Sequence, residues 1–214
     1  TVRFSSDDSA AVLPSDYIFT TGVGGDDGVH LFTGIIFKTA FEVGGNTFLK
    51  VEQVGNPSIF DQQSNITVRN AALDHFTVTG LTSPRTAGVA GSVTVTAFDA
   101  FNNVMTGAGV GIDYLGTVTF TSSDAQAVLP ANHIFTCCGD GTDKGTHTFT
   151  DAVILKTVST HSIVIMDTVT TSATGSQSGI QVTPAAAVAL EFTTQPAGSV
   201  SGFALTTQPV VRAK

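Results

Sequence analysis

The chain has 214 residues, a net charge of −8 and nine scattered Lys and Arg, so it lacks the basic stripe that collects phosphates, and nucleic acid is excluded as an expected partner. Hydrophobic residues make up 42% against 12% charged, with 15 Phe and many Val, Ile and Thr, which excludes the low-hydrophobicity, high-charge composition of disordered chains and favours an all-β fold. No apolar run approaches the roughly 20 residues that cross a bilayer, and Thr1-Val2-Arg3-Phe4 does not resemble a signal peptide, so any export signal is expected outside this stretch or already removed.

In chain order, the first run is Val2 and Phe4 at alternate positions, followed by the glycine-rich loop Gly22 to Gly28. Val93, Val95 and Ala97 then point one way while Thr94, Thr96 and Phe98 point the other, the two-residue period of a strand with one face on a core. The same alternation recurs at Val118 and Phe120, at Ile163 and Ile165, and at Ile180 and Val182. Turns are expected at Asp99 to Asn103, Gly139 to Gly145 and Gly175 to Gly179, and no stretch reads as a capped amphipathic helix.

The dominant signal is self-similarity. Thr1 to Asp8 aligns with Thr117 to Asp124, Ala11-Val12-Leu13-Pro14 with Ala127-Val128-Leu129-Pro130, and Ile18-Phe19-Thr20 with Ile134-Phe135-Thr136. Gly28-Val29-His30 pairs with Gly145-Thr146-His147, Lys38-Thr39 with Lys156-Thr157, and Ile66-Thr67-Val68 with Ile180-Gln181-Val182. The offset stays near 116 residues (Thr1 to Thr117), a length suited to one immunoglobulin-like sandwich of about seven or eight strands.

The segments Gly116 to Asp124, Ala87 to Asn103 and Leu190 to Pro196 resemble the tandem Ig-like repeats of very long bacterial surface proteins, which are broadly similar to invasin and filamin-type β-sandwiches. The resemblance covers essentially the whole chain. It implies an exported, repetitive, non-catalytic protein at the cell surface or outside the cell, with no cofactor, and it supplies no active-site residues. Asn102 stands where such repeats usually carry Gly, and Asn tolerates the left-handed conformation of that turn. Adjacent Cys137 and Cys138 also depart from the pattern.

The repeats are out of register with the chain. Residues 1–69 read as an Ig-like repeat lacking its opening strands, 70–183 as a complete repeat, and 184–214 as the opening strands of a further one. Val2 and Phe4 would then present an uncovered sandwich wall, and the last segment carries Phe192, Phe203, Leu205 and Val211 in strand-like alternation. Burying four such side chains offers roughly 6–12 kcal/mol before ordering costs. Two arrangements satisfy this: donation of 184–214 to the 1–69 unit of a neighbouring subunit, which grows a head-to-tail homopolymer, or a continuous array on one polypeptide.

Candidate chemistry is sparse. Gly175-Ser176-Gln177-Ser178-Gly179 and Gly198-Ser199-Val200-Ser201-Gly202 place Gln177 and Val200 where a nucleophile elbow requires Ser. Gly22 to Gly28 and Gly107 to Gly111 lack the strand-then-helix context of a phosphate cradle. His30 and His147 recur at matching positions without a His or Cys partner at ligand spacing, so they read as structural and no metal site is expected from them. Asp26, Asp27, Asp140 and Asp143 are weak calcium candidates whose spacing departs from the EF-hand loop, so hairpin-turn chemistry is the first expectation. Cys137 and Cys138 have three states open to them: a vicinal disulfide, a bridge to another chain, or two thiols. Asn65-Ile66-Thr67 is a glycosylation sequon. A rival reading is an adhesin-type module recognising a glycan or host surface protein through loops at Gly107 to Asp113 and Cys137 to Asp143; the absence of Trp counts against carbohydrate stacking.

Overall fold

The computed structural model describes residues 1–41, 46–106 and 113–214, and these form thirteen β-strands and no helix. The glycine cluster at 107–111 and nearly all of the 107–113 loop lie outside the described residues.

The strands sort into three regions. First, β1 (Val2–Ser5), β2 (Thr47–Gln53) and β3 (Asn56–Ile66) make one antiparallel sheet. Second, β4 (Leu73–Thr79), β6 (Ala90–Asp99) and β9 (Thr146–Ile154) form a three-stranded sheet in the order β4-β6-β9. It faces a five-stranded sheet built from β5 (Arg85–Thr86), β7 (Thr117–Ser122), β8 (His133–Ile134), β10 (Thr160–Asp167) and β11 (Thr174–Thr183), in the order β5-β11-β10-β7-β8. Third, β12 (Leu190–Thr194) and β13 (Val210–Ala213) pair with each other alone.

The two sheets of the middle region close on one core. Val93, Val95 and Ala97 of β6 meet Val118 of β7 and Ile163 and Ile165 of β10, all 0% exposed. Thr94, Thr96 and Phe98 lie on the opposite face, as the two-residue period requires. Every member of this core cluster falls between Phe76 and Val182. The backbones come close where β11 meets β4: a Cβ on Gly175 would sit 2.4 Å from the Phe76 carbonyl oxygen. That contact corrects the expected turn at Gly175 to Gly179. The segment is part of β11, and its first glycine serves close packing rather than chain reversal. Gln177 also has a structural duty, accepting from the Leu81 N–H at 3.2 Å and donating to the Leu81 carbonyl at 2.6 Å.

Two recurrent devices hold the connections. Asp8 accepts from the N–H groups of Lys38 (2.7 Å), Thr39 (3.1 Å) and Ala10 (3.0 Å) and from the Thr39 hydroxyl (2.7 Å). Its counterpart Asp124 accepts from Lys156, Thr157 and Gln126 N–H and from the Thr157 hydroxyl, at 2.6, 3.0, 3.0 and 2.7 Å. At the end of β6, fully buried Asp99 accepts from Ala71, Phe101 and Asn103 N–H and from the Asn103 amide, while Asn102 takes φ 64° as expected. Asn103 reaches across to the first region, donating to the Lys38 carbonyl and accepting from Ala40 N–H, both at 2.8 Å.

Candidate functional site

Two features outside the core carry functional potential: uncovered apolar faces, and a cluster of imidazoles around one aspartate.

In β1, Val2 and Phe4 share a face, and Phe4 pairs with Val51 of β2. The same register in the middle region sets Phe120 of β7 opposite Ile165 of β10. Phe120 and Ile165 are 7% and 0% exposed, whereas Phe4 and Val51 are only partly buried. Among the described residues, the β1-β2-β3 sheet has no facing sheet of its own repeat such as β4-β6-β9 provides in the middle region. The stretch equivalent to β9, residues 29–36, keeps the bridge of Ile36 to Val12 but joins no ladder among the described residues, and Val29 and Leu31 are both 82% exposed.

The hairpin β12–β13 has the opposite deficit. Leu190 pairs with Ala213 and Phe192 with Val211, which puts all four on one face. The other face carries Glu191 in ion pairs with Arg212 (2.7 Å) and Lys214 (2.6 Å). Phe192, 49% exposed, and Val211, 51% exposed, align with the paired Val78 and Val95 of the middle region, which are 4% and 0% exposed. The hairpin thus pairs antiparallel as β4 pairs with β6, with no further strand beside it among the described residues. Phe203 and Leu205 depart from the expected alternation: both lie in the loop between β12 and β13, where a Gly202 at φ 82° and the Phe203 N–H to Val200 carbonyl bond turn the chain out of strand geometry.

The second feature sits where β8 and β9 approach across the loop from 135 to 145. Asp143 Oδ2 accepts from the Thr136 N–H (2.8 Å), the Thr136 hydroxyl (3.1 Å) and His133 Nε2 (3.0 Å), while Oδ1 meets His147 Nδ1 in a short hydrogen bond. The two imidazoles are stacked, centroids 3.9 Å apart and planes at 28°, with Phe149 edge-on to both. Burial pushes the Asp143 carboxyl up, but the Thr136 N–H and the two histidines outweigh it and hold it below the usual carboxylate range. Ligand atoms of His133, Asp143 and His147 all lie within 4.8 Å of one another.

The first repeat contains the same arrangement with one change. Asp26 accepts from the Thr20 N–H (2.8 Å) and hydroxyl (3.0 Å) and from His30 Nδ1 (2.7 Å), and Tyr17 takes the place of His133, its hydroxyl donating at 3.0 Å. Tyr17 and His30 stack at 3.9 Å and 29°. The Thr20 N–H, followed by His30, holds the Asp26 carboxyl well below its ordinary range.

Of the four calcium candidates, Asp26 and Asp143 are thus engaged with imidazoles and threonines, while Asp27 and Asp140 are exposed and outside those hydrogen-bond sets. Cys137 and Cys138 are joined to each other, with the Cys138 sulfur 3.2 Å from Asp113 Oδ2. The sequon residue Asn65 is exposed in β3. The sequence pairs His30 with His147 but does not single out Tyr17 and His133, which lie 13 and 14 residues upstream; the available signal is the Asp-x-x-x-His spacing shared by Asp26–His30 and Asp143–His147.

No family model matches the chain, and no curated protein matches it in sequence. Solved structures that match include the S-layer protein rSbsC(31-844), at 17% identity and a TM-score of 0.33, over 71% of this chain and 18% of that one. Domains 1-6 of surface layer protein SbsC match at 16% identity and a TM-score of 0.31, over 69% of this chain and 18% of that one. The chain therefore spans less than a fifth of either surface-layer chain.

Proposed function

We propose that this protein is a non-catalytic structural element of an extracellular or cell-surface array, in which the β12–β13 hairpin of one copy completes the open β1-β2-β3 unit of the next. The observation that carries this reading is a match of deficits: among the described residues the first unit lacks strands equivalent to β4 and β6, and the hairpin pairs as those strands do with no further strand beside it. Apolar surface left on both partners supplies the drive, and the stretch 30–35, which joins no ladder among the described residues, supplies an edge for pairing. Each donation leaves a further hairpin free, so the contact is heterologous and propagates instead of closing.

The pairing has a definite register. In the middle region Thr94 of β6 stands opposite Thr148 of β9, their hydroxyls 2.9 Å apart. The corresponding residues are Val210 in the hairpin and Leu31 in the first unit. In a Cys137→Ser/Cys138→Ser background, Val210→Cys with Leu31→Cys is expected to give, on oxidation, a ladder of multiples of the 22.0 kDa chain that collapses on reduction. Either single cysteine alone stops at dimers. A double variant that remains monomeric on oxidation, and sediments as a monomer at about 100 µM, would remove strand donation between separate chains and leave a continuous array.

A further inference from the structure

We propose that His133, Asp143 and His147 bind one divalent transition-metal ion of the zinc class, clipping the five-stranded sheet to the three-stranded sheet at the β8–β9 edge. The proposal is independent of how copies assemble.

The donor set suits that class of ion: two imidazole nitrogens and one carboxylate oxygen, all within 4.8 Å of one another, with a fourth position left for water. Thr136 holds Asp143 through Oδ2 by two hydrogen bonds, which fixes the carboxylate plane and leaves Oδ1 with His147 as its partner. The imidazole edges reach solvent, His133 at 26% and His147 at 30% side-chain exposure, so an ion has a path in. Binding replaces the protons now shared between each ring and the carboxylate, and turns the two rings from stacking toward a common point.

The first repeat is a control built into the same chain. Tyr17–Asp26–His30 keeps the aspartate, the threonine clasp, the stacked rings and the hydrogen bonds, but offers one imidazole where the middle region offers two. A neutral phenol is a poor ligand for zinc, so the first cluster holds by hydrogen bonds alone. Because tyrosine fills that place in a folded cluster, His133→Tyr removes a ligand while retaining the packing and the bond to Asp143. The converse change, Tyr17→His, builds the second imidazole into the first repeat.

The test uses the full chain, with Cys137→Ser/Cys138→Ser throughout so that no thiolate competes. Zinc is titrated calorimetrically, and cobalt is added separately as a spectroscopic probe. The expected result is one equivalent bound by the parent, none by His133→Tyr and two by Tyr17→His. Cobalt should give the ligand-field bands of a nitrogen and oxygen site without thiolate charge transfer. Zinc at 1 mM should raise the parent's unfolding midpoint by on the order of 5 °C and leave that of His133→Tyr in place. No binding by the parent at 1 mM, or equal stoichiometry in the parent and His133→Tyr, overturns the proposal. Circular dichroism of His133→Tyr without metal shows whether it is folded. Should it not be, Tyr17→His decides alone, with an unchanged stoichiometry of one counting against the site.

Discussion

Val118 and Phe120 of the middle repeat are 0% and 7% exposed, while Val2 and Phe4, in the same positions of the first, are only partly buried. The same contrast holds for Ile165 against Val51 and for Ile180 and Val182 against Ile66 and Val68. One sequence pattern therefore yields a core in one place and a half-covered sheet in the other. The difference is the facing sheet: a two-residue period decides which side chains share a face, and burial follows only when a second sheet covers it. The local devices do not show this contrast. The clasps of Asp8 and Asp124 are alike bond for bond, as are the ring clusters around Asp26 and Asp143 apart from the Tyr17 to His133 exchange. Hydrogen-bonded connections thus form within a repeat fragment, whereas the apolar core needs the whole sandwich.

The sharpest way to break this comparison is a pair of truncations at matched positions. Ile165→Ala leaves a cavity in a closed core and should cost about 2–5 kcal/mol, whereas Val51→Ala in dilute, unassembled chain should cost under about 1 kcal/mol. Chemical denaturation followed on each variant reads both values. Equal losses would mean that the first sheet already has its cover. If strand donation operates, the cost of Val51→Ala should rise once copies are concentrated enough to assemble.

The aspartate clasps predict the reverse, near-equal behaviour. Asp8→Ala and Asp124→Ala each remove four hydrogen bonds to a buried carboxylate and strand their donors, an effect of about 2–3 kcal/mol apiece on the repeat concerned. Acid should reveal the same group. Burial pushes the Asp8 carboxyl up, but the Thr39 hydroxyl and the surrounding N–H groups outweigh it and lower it to about 2. An unfolded aspartate titrates near 3.9. The folded form therefore binds its proton less readily, so the contribution of Asp8 is complete above about pH 4 and is lost as the pH falls through about 2. Asp124 is lowered by the same four bonds against the same burial, so its share is lost on the same acid side. A pH series of unfolding midpoints should show Asp8→Ala flattening this acid limb, and an unaltered limb would mean that other carboxylates set it.

How much of this was legible in the sequence depends on the range of the signal. Alternation at Val93, Val95 and Ala97 is local, and the structure buries those three residues as read. The left-handed turn at Asn102 was likewise visible from its neighbours. The strand through Gly175 to Gly179 was not, because glycine there answers to Phe76 on another strand, about a hundred residues upstream. Phe203 and Leu205 alternate like strand residues yet lie in a loop, since a two-residue period over so short a run does not specify a pairing partner. The ring cluster was hidden for a similar reason. Sequence spacing links His147 to Asp143, but only the approach of β8 to β9 brings His133 onto the same carboxylate.

The smallest effect concerns the joint between the regions being compared. Asn103 spends its amide on both: it donates to Asp99 in its own repeat and to the Lys38 carbonyl in the first, and accepts from the Ala40 N–H. Asn103→Ala removes those bonds without opening a cavity in the core, since Asn103 is not a member of the core cluster. The expected cost to global stability is about 1 kcal/mol. The diagnostic effect is local. Amide exchange at Ala40 should quicken about tenfold, the ratio that corresponds to ~1.4 kcal/mol of lost protection, while exchange at Val95 and Ile165 stays within about twofold of the parent. Equal acceleration at all three would mean that the Asp99–Asn103 turn is part of the sandwich's cooperative unit. Acceleration at Ala40 alone would show that it serves as the tie from which the open repeat is hung.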